Sequence, residues 1–430
     1  MTQTRNPAPV RRGIALGAVA VVVGTAALAM PASTAWAGAG DGPSEPASAS
    51  AAASLPGSGP GSGSASGSGP GSGSGFDRKD LQRGLDDIVR HDGVVGAQAT
   101  LVEGAERSYA RSGTARLGGD RPMPHQGYLR MGSNTKTFVS TVVLQLVGEG
   151  RMRLDDTVER WLPGLVGGNG HDGARITVRQ LLQHTSGLPD YAPHLPILDE
   201  KQFLEKRYDD FRPEQLVALA LRERPLFEPG ASHRYSNTGY ILAGMIIEKV
   251  TGNHWSQEVH DRVIEPLGLK HTFSPGSRTG LPKPHAKGYH QFKPGASLVD
   301  STRVNMTWGG AAGDLVTTSN DLVRFWQGLL GGKLLKPAQL AQMRTTVDMP
   351  PDGRQVVEKA GLGIFWRSLS CGGGFWGHGG TTLGHLNANG FTDRGRRGAV
   401  VIRTTNVALD DRDARTDRLL DAALCGTRKG

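Results

Sequence analysis

The distribution of strand-forming segments along the chain is the feature that most constrains its fold. Two stretches that alternate or run apolar, VVGAQATLVEG and AERSYARSG, follow an opening helix, FDRKDLQRGLDDIVR. Strand signals then vanish over residues 133–345, where helical periodicity dominates, and return in GLGIFWRSLS, GGFWGHGG, TLGHLNANGF and GAVVIRTTN before a last helix, DDRDARTDRLLDAALC. The pattern predicts an α/β fold of the α+β type: one antiparallel sheet built from both ends of the chain, flanked by helices, with a mostly helical lobe inserted.

The first 75 residues do not read as part of this fold. A basic start precedes an apolar stretch from Ile14 to Met30 and a small-residue site ending at Ala37, so residues 1–37 are predicted to be a secretory signal peptide. An uncleaved membrane anchor is the alternative, disfavoured because the apolar stretch is shorter than the roughly 20 residues of a span. Residues 38–75 are rich in glycine, serine and proline and predict a disordered linker, which leaves residues 76–430 as the folded domain.

The formal charge of +9 bears on the choice of partners. A basic surface suits a polyanionic cell-wall polymer, or is an ordinary basic surface with no such partner. No run of lysine and arginine interleaved with aromatic residues occurs, which argues against nucleic-acid binding. We expect a secreted, extracellular monomer without a stable membrane anchor after processing, associated with the cell wall if the basic surface serves that purpose.

The chain has two cysteines, Cys371 and Cys425. In an exported protein an even count indicates a disulfide bond, which here would tie a strand region to the terminal helix. No CxxC or HExxH motif occurs and the histidines are scattered. We therefore expect neither a metal site nor a cofactor.

The segment MGSNTKTF, residues 131–138, carries a possible nucleophile. If TKTFVSTVVLQLVGEG is a helix, Ser133 lies in its first turn and Lys136 one turn on, so that the two side chains share a face. A serine hydroxyl is a poor nucleophile until a base takes its proton. Burial in the apolar run would lower the pKa of the lysine from about 10.4 and make it such a base. Taken alone, the pattern is a weak signal and is more typical of a serine cap beside an exposed lysine.

Two further stretches change that reading. FEPGASHRYSNTGYILAG places Tyr235-Ser236-Asn237 on a loop that opens an apolar helix, and FWGHGGTTLG places His378-Gly379-Gly380-Thr381 at the end of a strand. The glycines there would let a ligand approach the backbone closely. An SxxK segment, then a Y-x-N loop, then an H-x-G strand is the order of motifs in penicillin-recognising serine hydrolases.

On these motifs the chain resembles the group of class C serine beta-lactamases and D-alanyl-D-alanine carboxypeptidases, and most closely the secreted actinomycete carboxypeptidases. The resemblance covers essentially residues 76–430, including ITVRQLLQHTSGL, AAGDLVTTSNDL and GLGIFWRSLSCGG. It implies a beta-lactamase/DD-peptidase-like catalytic domain, and the cysteine pair has its counterpart in those enzymes. His378 in place of lysine points to the carboxypeptidase side of the group.

The resemblance implies a role for each motif residue. Ser133 attacks the carbonyl, and Lys136 accepts or steers its proton. Tyr235, its phenol pKa lowered by a neighbouring cation, relays the proton to the leaving group and later activates water. The oxyanion hole consists of the backbone N–H groups of Ser133 and Thr381. The substrate-binding residues are Asn237, His378, Gly380, Thr381 and Trp308. Asn237 holds Lys136 and the substrate amide, His378 presents charge or a hydrogen bond toward the substrate carboxylate, and Trp308 walls the pocket. Trp308 could equally serve packing.

One further histidine is interpreted as structural. His184, in LLQHTSGL, follows a helix end, where its side chain would serve the last carbonyl groups.

The sequence departs from the carboxypeptidase pattern at two places. Gly379 stands where those enzymes have a threonine or serine that helps to bind the terminal carboxylate. The surroundings of Phe365, where the similar enzymes have an arginine, are apolar. Both changes weaken carboxylate recognition.

Three functions are compatible with these residues. The first is a penicillin-binding D-alanyl-D-alanine carboxypeptidase that acts on peptidoglycan stem peptides through an acyl-enzyme on Ser133. A beta-lactamase or an esterase of the same fold is the second, and a non-catalytic wall-binding or penicillin-sensing module is the third. The presence of Ser133, Lys136 and Tyr235 argues against the third. The partner is accordingly expected to be a peptidoglycan peptide or a beta-lactam.

Overall fold

The computed structural model describes residues 76–349, 359–407 and 414–426. The expected signal peptide and linker, residues 1–75, lie outside the described residues. Within the described parts, no helix has the length and apolarity that crossing a membrane requires.

A nine-stranded sheet joins the two ends of the folded chain. The strands are β1 Gly96–Glu103, β2 Glu106–Gly113, β3 Val347–Asp348, β4 Lys359–Ala360, β5 Phe365–Ser368, β6 Gly374–Gly377, β7 Gly380–Thr381, β8 Leu386–Phe391 and β9 Arg397–Arg403. Their order in the sheet is β2-β1-β9-β8-β6-β5-β4-β3, with β7 also paired to β8, and the pairings are antiparallel. The predicted antiparallel sheet from both chain ends is confirmed.

The segment between β2 and β3 is mostly helical, as predicted, and a helix precedes and follows the sheet strands. The α-helices are α1 Arg78–His91, α2 Thr135–Gly148, α3 Val158–Trp161, α4 Val178–Leu182, α5 Glu200–Lys206, α6 Pro213–Ala220, α7 Thr238–Thr251, α8 Trp255–Val259, α9 Gly310–Gly313, α10 Ser319–Leu330, α11 Pro337–Met343 and α12 Ala414–Cys425. Single 3₁₀ turns lie at Gly132–Asn134, Gly173–Arg175 and Ala192–His194, and a π-helical turn lies at His260–Ile264.

Short two-residue strands connect parts of this helical segment. Leu129–Arg130 pairs with Val316–Thr317, and Gly167–Gly168 pairs with His171–Asp172. Tyr289–His290 lies between Val299–Asp300 and Thr405–Asn406. The sequence did not predict these strands because two residues are too few to set up an alternating pattern.

The alternation of side chains along the strands gives the sheet two packed faces. In β9, Ala399 and Val401 pack in one apolar cluster with residues of α1 and α12. Their neighbours Val400 and Ile402 belong to the larger core that the sheet shares with the helical segment. The sheet is therefore covered by helices on both sides.

Helix α2 is buried on nearly all sides. Eleven of its residues are buried, among them Phe138, Val142 and Leu146, which is typical of a helix in the middle of a large domain rather than on its surface. Its first turn is thus held by the surrounding core, and so is the short turn that precedes it.

Cys371 and Cys425 form a disulfide bond. Cys371 lies in the loop between β5 and β6, and Cys425 is the last residue of α12. The predicted link between a strand region and the terminal helix is confirmed.

Candidate active site

Ser133 lies in the 3₁₀ turn Gly132–Asn134, directly before α2. The sequence placed it inside the first turn of α2, but Gly132 has a positive φ of 53°, a conformation that glycine adopts without strain. A Cβ atom at Gly132 would lie 2.9 Å from the backbone nitrogen of Thr381. The turn at Ser133 therefore approaches the strand at Thr381 so closely that it tolerates no side chain at residue 132.

Lys136 is completely buried, and its amine has three partners. Nζ lies 3.0 Å from Ser133 Oγ, 2.7 Å from Asn237 Oδ1 and 2.8 Å from the carbonyl oxygen of Ala312. The amide and carbonyl oxygens of Asn237 and Ala312 can only accept hydrogen bonds. A neutral amine that donates its two N–H groups to them directs its lone pair at the hydroxyl of Ser133.

The electrostatic surroundings favour that neutral amine. Burial lowers the pKa of Lys136 from its ordinary value near 10.5 to about 7, and the negative charge of Asp190 partly opposes the decrease. The structure therefore supplies a base in hydrogen-bond contact with the hydroxyl, as general-base activation of a serine requires.

Asp190 fixes the orientation of Asn237. Asn237 Nδ2 donates to both carboxylate oxygens of Asp190, at 3.2 and 2.9 Å, and the backbone N–H of Asn237 donates to Oδ1 at 3.2 Å. With its nitrogen bonded to Asp190, the side-chain amide must present its oxygen to Lys136. The sequence assigned Asn237 to Lys136 and to the substrate amide; here both polar atoms of its side chain are occupied within the protein.

Tyr235 lines the same site, but its acidity differs from the prediction. Burial raises the pKa of its phenol well above the usual value near 10, although the neighbouring Ser133 hydroxyl partly offsets the rise. The ammonium-to-ring distance to Lys136 is 4.8 Å, and a lysine with a lowered pKa is not the permanent cation that the prediction assumed. The prediction of a lowered phenol pKa was wrong because desolvation outweighs the nearby charge.

The phenol of Tyr235 remains available to a substrate. Its oxygen is buried and has no aligned hydrogen-bond partner among the described residues. Because the group keeps its proton at neutral pH, it can donate that proton and cannot act as a phenolate base.

His184 packs on Tyr235, a contact that the sequence did not predict. The two rings are stacked with centroids 4.2 Å apart, and His184 Nδ1 accepts the backbone N–H of Ser236 at 3.2 Å. His184 is a non-glycine residue with a positive φ of 60°, which the surrounding packing must maintain. Its side chain therefore holds the Tyr235 loop. The prediction that it serves the carbonyl groups at the end of α4 was wrong.

The backbone N–H of Thr381 faces the nucleophile. Thr382 N donates to the carbonyl oxygen of His385 across the hairpin, and successive residues of a strand point their N–H groups to opposite edges. The N–H of Thr381 therefore points away from β8, toward the turn that carries Ser133. This is the placement that an oxyanion hole formed by Ser133 and Thr381 requires.

His378 is buried and neutral. Its Nδ1 lies 2.7 Å from the carbonyl oxygen of Gly379, which can only accept, so Nδ1 carries the proton and Nε2 carries a lone pair. Burial, together with the charge of Lys136, lowers the pKa of His378 to about 3. The sequence allowed His378 to present charge or a hydrogen bond to a carboxylate; the structure gives it neither the charge nor a free proton.

A cavity of about 400 Å³ brings several of these residues together. The predicted residues Ser133, Tyr235, His378, Gly380 and Thr381 line it, as does Phe365, whose ring lies 4.9 Å from that of His378. Trp308 is not among its lining residues; it packs at the edge of the helical core, and its carbonyl oxygen accepts the hydroxyl of Tyr191 at 2.6 Å. Lys136 and Asn237 lie behind Ser133, and not on the cavity wall.

The structure thus brings together the residues of the three motifs, whose catalytic roles stay predictions. Sequence reasoning missed Asp190 and the contact of His184 with Tyr235. His184 lies in the quoted stretch LLQHTSGL and Asp190 lies two residues beyond it, but their partners are about 50 residues further along the chain. No periodic pattern encodes contacts at that separation.

Comparison with known proteins identifies the family of this chain. Residues 81–424 match the family described as Beta-lactamase. A D-stereospecific amidohydrolase from Streptomyces sp. is 41% identical, with a TM-score of 0.75, and the match covers 82% of this chain and 100% of that one. D-amino acid amidase from Ochrobactrum anthropi SV3 is 30% identical, with a TM-score of 0.69, over 80% of this chain and 97% of that one.

Curated relatives are matched over a smaller share of their length. Penicillin-binding protein 4* of Bacillus subtilis (strain 168) is 31% identical over 174 residues, which are 40% of this chain and 36% of that protein. Another curated relative is covered over 48% of its length. The family match nevertheless spans most of the described chain, and the chain belongs to the beta-lactamase family of serine hydrolases.

Proposed function

We propose that this enzyme is an amidohydrolase that cleaves amides of D-amino acids through an acyl-enzyme on Ser133. Two observations support this choice over the other activities of the family. The cavity beside Ser133 offers a neutral hydrogen-bond acceptor, His378, where a carboxypeptidase needs a group that binds a carboxylate. In addition, the two solved structures described above bear the names D-stereospecific amidohydrolase and D-amino acid amidase.

The reaction follows from the positions of three side chains. Ser133 Oγ attacks the amide carbon while its proton passes to the neutral amine of Lys136, 3.0 Å away. The backbone N–H groups of Ser133 and Thr381 stabilise the oxyanion. The C–N bond then breaks and the leaving amine takes a proton from the phenol of Tyr235. The ammonium of Lys136 gives the proton that it took from Ser133 to the Tyr235 phenolate, so that both groups regain their starting state. Water hydrolyses the ester on Ser133 and releases the D-amino acid.

The single observation that carries the choice of an amide is the lone pair of His378. Nε2 of this buried ring has no partner among the described residues, while its Nδ1 proton is bonded to Gly379. An N–H group of a substrate can donate to this nitrogen. A terminal carboxylate would instead face the lone pair of His378. The neighbouring residues Gly379 and Phe365 offer this carboxylate neither a hydroxyl nor a guanidinium group.

Two arginines line the cavity, but each has an acidic neighbour. Arg367 forms an ion pair with Asp417 of α12 at 2.8 Å, and Arg403 lies 3.9 Å from a carboxylate oxygen of Asp92. Both partners lie on the side of the sheet covered by α1 and α12. These guanidinium groups are therefore engaged there and are not free carboxylate receptors beside Ser133.

A D-alanyl-D-alanine carboxypeptidase is the second candidate. The order of the motifs and the likeness to Penicillin-binding protein 4* favour it. It differs from the first proposal in the group at the end of the substrate, a carboxylate in place of an uncharged amide.

A substrate comparison separates the two candidates. We expect purified enzyme to hydrolyse D-phenylalanine amide with a kcat/KM at least about a hundredfold above that for L-phenylalanine amide. This kcat/KM should also exceed that for a peptide ending in D-Ala-D-Ala, because a lost hydrogen bond and a desolvated carboxylate together cost the peptide several kcal/mol. Ser133→Ala should abolish turnover. Faster hydrolysis of the D-Ala-D-Ala peptide would establish the carboxypeptidase instead, and faster hydrolysis of penicillin or of a nitrophenyl ester would point to a lactamase or an esterase.

A variant of His378 tests the reason for the preference. His378→Lys introduces an ammonium where the ring nitrogen accepts, so the ratio of peptide to amide turnover should rise. His378→Gln, which retains an acceptor oxygen without a charge, serves as the matched control and should leave the ratio on the amide side. An unchanged ratio in His378→Lys would show that this residue does not select the substrate.

We also propose that the enzyme acts outside the cytoplasm. The disulfide bond between Cys371 and Cys425 supports this, because structural disulfides are typical of oxidising compartments. Secretion of the full chain, followed by N-terminal sequencing, would test both the location and the predicted cleavage after Ala37.

A further inference from the structure

Three buried asparagines lie directly behind the nucleophile turn and the strand that faces it. Asn134 follows Ser133 in the chain, and Asn387 and Asn389 lie on β8. Each is at most 5% exposed. None of them is needed for the proton transfers described above, and none is among the site residues predicted from the sequence.

Their side chains form a continuous network. Asn389 Nδ2 donates to Asn134 Oδ1 at 2.9 Å, and Asn134 Nδ2 donates to Asn387 Oδ1. Asn387 Nδ2 in turn donates to the carbonyl oxygens of Met131 at 3.1 Å and Gly380 at 3.3 Å. The network thus bonds the backbone two residues before Ser133 to the backbone immediately before Thr381.

The side chain of Asn389 bonds the backbone of His378 at a place where the backbone pairing of the sheet is interrupted. β6 and β7 pair with β8 in one register, Trp376 opposite Phe391 and Gly380 opposite Asn387, so that His378 falls opposite Asn389. No ladder pair joins residues 377–379 to β8 among the described strands. Instead, Asn389 Oδ1 accepts the N–H of His378 at 3.2 Å and Nδ2 donates to its carbonyl oxygen at 2.8 Å.

We infer that Asn134, Asn387 and Asn389 are positioning residues for the oxyanion hole, because they fix the distance between the N–H groups of Ser133 and Thr381. This inference rests on the proposed acyl-enzyme at Ser133. The two backbones are already in contact: a Cβ atom at Gly380 would lie 1.9 Å from the carbonyl oxygen of Met131. The asparagine side chains bridge the two segments at this distance and make no bond to the N–H groups of Ser133 and Thr381, which stay available to the substrate.

Asparagine suits this task for two physical reasons. Its amide has both donors and an acceptor, so each residue can bridge an N–H and a C=O group and leave neither unsatisfied. It also carries no charge at any pH, so the scaffold keeps its geometry while Lys136 gains and loses a proton. A leucine of similar volume would leave several buried backbone groups without partners.

The test uses a nitrophenyl ester and its thionoester, in which sulfur replaces the carbonyl oxygen. Oxyanion-hole donors stabilise an oxygen anion better than a sulfur anion, so a well-formed hole favours the ester. In Asn389→Ala we expect kcat for the ester to fall about 10- to 100-fold, somewhat less than when a donor is removed outright, with KM within about threefold. The ratio of ester to thionoester turnover should fall as well.

A double-mutant cycle tests the connection between the asparagines. Because Asn134 and Asn389 are directly bonded, Asn134→Ala and Asn389→Ala should lower kcat less in combination than the sum of their separate effects predicts. Asn305→Ala is the matched control: Asn305 is 2% exposed, and its side chain bonds Asp210 at 2.8 Å and the backbone N–H of Thr307 at 3.0 Å, neither of which belongs to the turn that carries Ser133. This control should lower the thermal midpoint and leave kcat and the ester preference unchanged.

The inference is overturned if Asn389→Ala lowers only the thermal midpoint, as the control does, or if the two asparagine effects simply add. If Asn389→Ala does not fold, Asn389→Ser, which keeps one small polar group, takes its place with the same expected outcomes. The ester does not require selectivity for D-amides, so failure on D-phenylalanine amide leaves this test intact. Ester turnover that survives in Ser133→Ala would instead refute the nucleophile itself.

Discussion

Two buried polar networks attach to the short turn that carries Ser133, and they differ in kind. The network on one side consists of Lys136, Asn237 and Asp190. Two of these three residues, Lys136 and Asp190, titrate. The network on the other side consists of Asn134, Asn387 and Asn389, none of which titrates. Asn134, the residue before α2, and Lys136, in the first turn of α2, thus belong to separate networks.

The difference indicates a division of labour. Proton transfer needs groups whose pKa lies near the working pH, and such groups change charge during the reaction. Stabilisation of an oxyanion needs donors that do not move when that charge changes. Keeping the titrating groups away from the scaffold of the strand at Thr381 allows both requirements to be met within a few ångströms of Ser133.

The largest expected effect concerns Tyr235. Because burial raises the pKa of its phenol, Tyr235 should act as a proton donor to the leaving group. Tyr235→Phe should therefore lower kcat for D-phenylalanine amide by about a hundred- to ten-thousandfold, the usual range of a general-acid contribution. A nitrophenolate leaves without needing a proton, so kcat for the ester should fall by less than about tenfold. Steady-state kinetics on the two substrates measures this.

Equal losses on both substrates would contradict this assignment. They would mean that Tyr235 takes part in activating Ser133, and the two networks would then no longer divide the work as described. Tyr240→Phe is a suitable control, since this buried phenol bonds Ser140 and the carbonyl of Leu182 and does not line the cavity.

The sequence predicted the fold and the contact of Ser133 with Lys136, but it did not predict the protonation states of the motif residues, whose catalytic roles stay predictions. Strand periodicity at the two chain ends was enough to predict the sheet, and the spacing of Ser133 and Lys136 placed a hydroxyl beside an amine. The pKa of Tyr235 was predicted in the wrong direction because its value depends on burial among His184, Phe365 and other residues distant in the chain. The asparagines were missed because a buried asparagine in a strand pattern has no periodic signature.

The second prediction concerns the acidic limb of the pH profile. Lys136 must be unprotonated to accept the serine proton, and its pKa is lowered to about 7, so kcat/KM should fall about tenfold per unit as the pH drops below 7. The charge of Asp190 raises the pKa of Lys136. Asp190→Asn removes that charge and should shift the midpoint to lower pH.

The asparagine network should behave differently in the same measurement. Asn389→Ala should lower the whole profile without moving its midpoint, since no titrating group is lost. A midpoint that stays in place in Asp190→Asn, or that moves in Asn389→Ala, would show that the two networks are not electrostatically separate.

The smallest effect on catalysis should come from the disulfide bond. Cys371 and Cys425 close a loop of 54 residues in sequence separation, which in the chain-entropy view stabilises the fold by up to about 4 kcal/mol. Replacing both cysteines by serine should lower the denaturant midpoint accordingly and leave kcat within about twofold, because the bond lies at the α12 end of the β5–β6 hairpin. His378, at the other end of β6, is held by Asn389. A tenfold loss of kcat in the double variant would mean instead that the hairpin, and not the asparagines, sets the position of the strand at Thr381.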